Sequence, residues 1–116
     1  MSDPKHDLIT VSKRPFNAET PNQALQKPIT PNNQFYVRNH FDVPTLEKSS
    51  WVLRVNGAVK TTQNINIQEL QKLPARTITI LMECAGNGRS SLNPPIEGTT
   101  WNLGAVAQAK FTGTPL

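Results

Sequence analysis

One cysteine occurs in this chain, Cys84, inside the stretch MECAGNGRS at residues 82–90. An apolar run leads into it, a glycine-rich turn follows, and Arg89 comes next. A free cysteine is among the most buried residue types and often serves as a small apolar filler. This position also suits chemistry. Ala85-Gly86-Asn87-Gly88 can adopt irregular conformations that turn backbone N–H groups inward, and Arg89 adds a fixed positive charge. Both effects favour thiolate over thiol. A stabilised thiolate is either a nucleophile or a soft metal ligand. A nucleophile needs a base, and His40 is the candidate, because His6 lies in the polar amino terminus. Zinc takes three or four protein ligands, so one Cys and two His are too few unless others come from elsewhere.

The second constellation is FYVRNH, residues 35–40. Arg38 offers a planar fork of donors that suits an oxyanion or phosphate. Asn39 and His40 add further donors and acceptors. The same residues also fit an ordinary exposed strand end. The GNG of residues 86–88 lacks the spacing and the lysine of a phosphate loop. Trp51 and Trp101 read as core or surface-covering aromatics.

Several elements must position these groups. Side chains alternate across a strand, so RTITILMEC puts Ile78, Ile80, Met82 and Cys84 on one face and Glu83 on the other. Cys84 then stands where strand gives way to loop. SSWVLRVNGAVK predicts a strand over 51–56 with Trp51, Leu53 and Val55 on one face and Asn56-Gly57 as a tight turn. NIQELQKLP predicts a short helix over 67–73, capped by Asn66 with Glu69 completing a capping box and stopped by Pro74. TPNQALQ predicts a turn or two of helix near 21–26, with Thr20 as its N-cap. QFYVRNHFDVP reads as extended chain up to Pro44. WNLGAVAQAKFTGTPL is rich in small residues and shows no clear period. These signals predict an α+β fold: a mixed β-sheet holding 51–56 and 77–84, short helices and much irregular chain.

Composition narrows the function. At 116 residues the chain has the length of one small domain. Five of its ten prolines fall within the first 31 residues, so residues 1–34 read as an extended, loosely held segment. The net charge of +4 comes from scattered Lys and Arg, which argues against a nucleic-acid stripe and favours small anions. No run of 18 apolar residues marks a membrane span, and MSDPKHD is not a signal peptide, which leaves a cytoplasmic or periplasmic setting open.

Taken together, PFNAETP, ITPNNQFYVRNHFDVP, WVLRVNGAV, LPARTITILMECAGNGRS and WNLGAVAQAKFTGTPL resemble the sulfite oxidase family of molybdopterin oxidoreductases, which includes plant-type nitrate reductases. The pieces occur in family order from about residue 15 onward. The resemblance implies a partial sulfite oxidase molybdopterin-domain fold, with residues 35–116 as the amino-terminal part of that domain. It implies that Cys84 is the thiolate that ligates molybdenum. It makes Arg38 the arginine beside the substrate oxyanion and Arg89 a second one near the anion pocket. It makes Tyr36, Val37, Arg38, Asn39 and His40 the stretch that cradles the pterin and its phosphate. The implied cofactor is molybdenum-molybdopterin; haem is not implied by this chain. The implied reaction is oxygen-atom transfer to or from a small oxyanion, with an electron-acceptor protein and a homodimeric parent. Family members commonly carry a further basic residue where this chain has Gly88.

The family's molybdenum domain runs to roughly twice this length or more. The resemblance therefore makes this chain an amino-terminal part of an enzyme, expected to be inactive by itself and to expose apolar surface. Two other readings stand beside it: a small basic module that grips an anion through Arg38 and Arg89, and a thiol enzyme using Cys84 and His40.

Overall fold

A computed structural model of the chain describes residues 7–115. The described chain forms two compact units. One comprises the residues up to Val43 with Thr79–Phe111, and the other comprises Pro44–Ile78 with the residues after Phe111.

The first unit begins with a hairpin. Strand β1 (Ile9–Lys13) pairs antiparallel with β2 (Phe16–Glu19) across the Arg14-Pro15 turn, and the register shifts between Thr10 and Ser12. A one-turn helix, α1 (Asn22–Leu25), follows, then a 3-10 turn at Asn32–Gln34. Pro21, not Thr20, occupies the N-cap of α1, without a side-chain cap bond. Thr20 is fully buried instead, and its Oγ1 accepts from the Tyr36 N–H at 3.0 Å. The expected cap is thus used to tie down a distant segment.

The core of this unit is made of small and polar side chains around one large ring. Ala18, Ala24, Ala105, Ala107 and Ala109 are buried with Trp101. Asn17, Glu19, Thr20 and Thr30 are buried beside them, each hydrogen-bonded. Small residues let backbones approach closely. A Cβ on Gly104 would lie 2.6 Å from Glu19 Cβ and 2.7 Å from the Thr20 carbonyl oxygen, so the chain can pass there only as glycine. Residues 17–20 therefore belong to the core, which corrects the expectation of a loosely held amino terminus among the described residues. Hydrophobic patterning could not find a core of alanines and satisfied polar groups.

Two longer strands, β5 (Arg76–Glu83) and β6 (Val106–Gly113), pair with each other. β6 falls in the segment whose period was unreadable. Its buried residues Ala107 and Ala109 alternate as a strand requires, but alanine is depleted in strands and carries little signal.

In the second unit, β3 (Val52–Val55) pairs antiparallel with β4 (Gln63–Asn66), and α2 (Ile67–Lys72) follows. The alternation was legible: Trp51, Leu53 and Val55 are half-buried, while Val52 and Arg54 are exposed. The capping box is formed as expected. Glu69 N–H donates to Asn66 Oδ1 and Asn66 N–H donates to Glu69 Oε2, both at 2.9 Å. The connection between β3 and β4 is longer than a two-residue turn. Gly57 takes φ +86°, and the Val59 N–H closes a three-residue turn on the Gly57 carbonyl at 2.8 Å. The fold is α+β, as the sequence predicts. The single mixed sheet is corrected: among the described residues the strands form three two-stranded sheets, with β3 and β5 in different ones. β3 finds its partner in the next strand of its own hairpin, and β5 finds its partner far along the chain. Large apolar side chains remain exposed, Phe41, Leu103 and Leu46 among them. No helix of the described residues is long and apolar enough to cross a membrane.

Candidate functional site

Residues 36–39 are laced onto β2. Val37 and Ala18 exchange both backbone bonds, at 2.8 and 3.0 Å. Asn39 donates its backbone N–H to Asn17 Oδ1 at 2.7 Å and its side-chain amide to the Phe16 carbonyl at 2.8 Å. The buried Asn17 in turn donates to Ser12 Oγ and the Pro15 carbonyl, both at 3.0 Å. Asn39 thus uses both donor groups to hold the backbone. Arg38 and His40, on either side of it, are exposed. Arg38 Nη1 donates to the Asn39 carbonyl, and the His40 ring meets Phe41 edge-on.

Cys84 stands at the end of β5, as its strand position predicts, and is half-buried. Its N–H donates to the Ala105 carbonyl at 2.9 Å, and its carbonyl accepts from the Asn87 N–H at 2.9 Å. Asn87 staples the loop: Oδ1 accepts from the Ala105 N–H at 3.0 Å, and Nδ2 donates to Glu83 Oε1 at 2.9 Å. Gly88 then takes the left-handed conformation, φ +79°, and a 3-10 turn at Arg89–Ser91 follows. The N–H groups of Asn87 and Arg89 close this turn on Cys84 and Gly86, so these two do not point at a ligand. Burial raises the Tyr36 phenol above its ordinary range, and the charges of Cys84 and Glu83 push it the same way.

The Arg89 guanidinium is half-buried against two glycines. Its Nη1 points to the Thr99 carbonyl at 3.4 Å. A Cβ built on Gly98, where φ is +122°, would fall 1.9 Å from Nη1, and one on Gly86 would fall 2.8 Å from Nη2. Gly98→Ala must therefore move the guanidinium. Its expected effect is a stability cost of about 1–3 kcal/mol, which reflects the backbone conformation. Urea unfolding provides the check.

These groups meet at an open cleft of about 450 Å³. Arg38, Asn39, His40 and Arg89 line it, together with Thr99, Thr100 and a third arginine, Arg14. Among the described residues no carboxylate lines it. The structure thus gathers four of the residues singled out from sequence. Cys84, Tyr36 and Val37 are not part of the cleft lining. Two features escaped the sequence reading. Arg14 reaches the cleft from the β1–β2 turn, and only tertiary structure reveals that. Trp101, read as a core ring, has a buried Nε1 with no hydrogen-bond partner. Its ring lies edge-on to Tyr36, with centroids 6.4 Å apart.

The donor set around Cys84 is sparse. Among the described residues no three His, Cys, Asp or Glu side chains gather to hold a metal ion, and no hydrogen bond joins Cys84 to His40. One thiolate fits a soft metal whose other ligands come from an organic cofactor better than it fits zinc held by protein alone.

The family profile described as oxidoreductase molybdopterin binding domain matches residues 40–116. The chain belongs to this family. It is 39% identical over 118 residues to the sulfite oxidase of Gallus gallus, covering 97% of this chain and 26% of that protein. It is 38% identical to the mitochondrial sulfite oxidase of Homo sapiens, covering 97% and 22%. It is also 38% identical to the NADH nitrate reductase of Ulva prolifera, covering 97% and 14%. Among solved structures, the sulfane dehydrogenase SoxCD of Paracoccus pantotrophus matches with a TM-score of 0.75 at 28% identity, over 90% of this chain and 27% of that one. The chain thus spans about a quarter or less of the length of these relatives. The span matched to the molybdopterin-binding family takes in His40, Cys84 and Arg89.

Proposed function

We propose that this chain supplies the protein thiolate and the basic anion-binding wall of a molybdopterin site in a sulfite oxidase-like oxidoreductase. The observation that carries the proposal is the cleft, where Arg38, His40 and Arg89 converge from stretches far apart in sequence. Its volume suits a small-molecule or cofactor site. The unpartnered Trp101 Nε1 and the isolated thiol also fit a ligand that brings its own acceptors and its own metal ligands.

In this proposal Cys84 holds molybdenum, and Tyr36 to His40 border the pterin and its phosphate. When bound, the cofactor supplies two-electron oxygen-atom transfer. The chain's residues do the rest. Asn17 and Asn39 fix the segment that carries Arg38. Arg38 and Arg89 orient the oxyanion and balance its charge. Gly98 leaves room for the Arg89 guanidinium. The complete protein would be a homodimer that passes electrons to an acceptor protein.

With sulfite as the probe, Arg38→Gln in the full-length protein is expected to raise KM by about 10- to 100-fold, as for loss of a charge-assisted hydrogen bond. An unchanged KM would overturn the role given to this cleft. A second reading, an anion-binding module without a metal, is favoured by the absence of Cys84 from the cleft lining. Alkylation of Cys84 separates the two: a metal-dependent oxidase loses turnover, and an anion-binding module keeps its affinity.

A further inference from the structure

Three arginines share one cleft, and among the described residues no acidic side chain lines its wall. Among the described residues none of the three is ion-paired. Arg89 is set by the Thr99 carbonyl and Arg38 by the Asn39 carbonyl. Arg14 comes from a different element, the turn between β1 and β2, and is exposed. That turn is anchored from below: Ser12 Oγ donates to the Pro15 carbonyl at 2.6 Å, and the buried Asn17 amide donates to both. Arg14 therefore extends from a fixed base. An anion in a cleft lined by three arginines is attracted in proportion to its charge.

We infer that Arg14 is a third cationic contact of this cleft and sets its preference for doubly charged over singly charged oxyanions. The inference rests on the anion-site reading of the cleft and adds to it a residue and a ligand charge. The attraction between Arg14 and the ligand scales with ligand charge. At ~6 Å in a water-like dielectric, losing one positive charge weakens a monoanion about threefold and a dianion about tenfold. The signature is therefore a change in the ratio of the two affinities, which a merely structural role would not produce.

The test titrates the full-length protein with sulfate and with methyl sulfate, which share a head group but differ in charge, at low ionic strength. Arg14→Gln is expected to weaken sulfate about tenfold and methyl sulfate about threefold, while Arg14→Lys keeps the wild-type ratio. Equal losses for both ions, or no loss in Arg14→Gln while Arg38→Gln and Arg89→Gln still weaken binding, would overturn the role of Arg14 and leave the cleft reading intact. If the wild-type protein bound neither ion, both would fall. Because the ratio is taken within each variant, a change in the amount of folded protein does not affect it.

Discussion

Full-length protein carrying Cys84→Ser is expected to lose more than about a hundredfold of its sulfite-dependent turnover while keeping its fold. The size follows from what the exchange does at one atom. A thiol with an ordinary pKa of about 8.5 is readily held as a thiolate beside a metal, whereas a serine hydroxyl stays neutral near pH 7. Removing even an outer partner of a metal ligand typically costs about 10- to 100-fold, so removing the ligand that Cys84 is proposed to be is expected to cost more. The fold should tolerate the change. Cys84 is only half-buried, and its tie to Ala105 runs through the backbone N–H, which serine retains. Steady-state kinetics paired with urea unfolding checks both halves. Near-wild-type turnover would remove Cys84 from the chemistry, and an unfolded variant would show that the residue serves mainly as core.

The largest effect on stability is expected at Glu19. This buried carboxylate accepts from the Asn102 N–H at 2.5 Å, from the Asn102 side-chain amide at 3.3 Å and from the Gly104 N–H at 3.3 Å. Those bonds hold the segment that carries Trp101 against β2, where the Thr20 N–H adds a bond to the Gly104 carbonyl at 2.9 Å. Glu19→Ala would leave the backbone donors of Asn102 and Gly104 without partners, at about 1–3 kcal/mol each. The expected loss is about 3–5 kcal/mol, a large part of a small domain's stability. Glu19→Gln keeps one acceptor oxygen and is expected to cost less than half as much. Urea midpoints for the two variants provide the check. A loss below about 1 kcal/mol for the alanine variant would mean that the 101–104 segment is held by other contacts.

Local signals were legible where local physics decides the structure. The capping box of α2 needs only Asn66 and Glu69, three positions apart, and it forms as written. The alternation of β3 survives because Leu53 and Val55 are large enough to mark a face. The strand leading to Cys84 was legible from its β-branched run, although Ile78 and Met82 on its expected face are exposed. The core of the first unit was not. It rests on alanines and on polar side chains such as Asn17 and Glu19, whose burial becomes favourable only through partners distant in sequence. Thr20 shows the conflict in one residue, since its hydroxyl serves Tyr36 rather than the helix beside it.

The candidate site divides in the same way. Cys84, Arg38 and Arg89 could be named from residue type and setting, and the resemblance assigned them roles. That Arg38 and Arg89 line one cleft, that Arg14 lines it too and that Trp101 Nε1 is left without a hydrogen-bond partner are tertiary facts. Glycine carried a signal that is readable only in retrospect. Gly98 marks the place where a guanidinium must pass, and no local pattern announces it.

X-ray absorption at the molybdenum edge tests the central claim most directly. Wild-type and Cys84→Ser full-length protein would be compared for the number of sulfur neighbours around the metal. The account predicts one sulfur fewer in the variant, whatever its activity. An identical sulfur count in both would contradict it, because the metal would then take none of its ligands from Cys84.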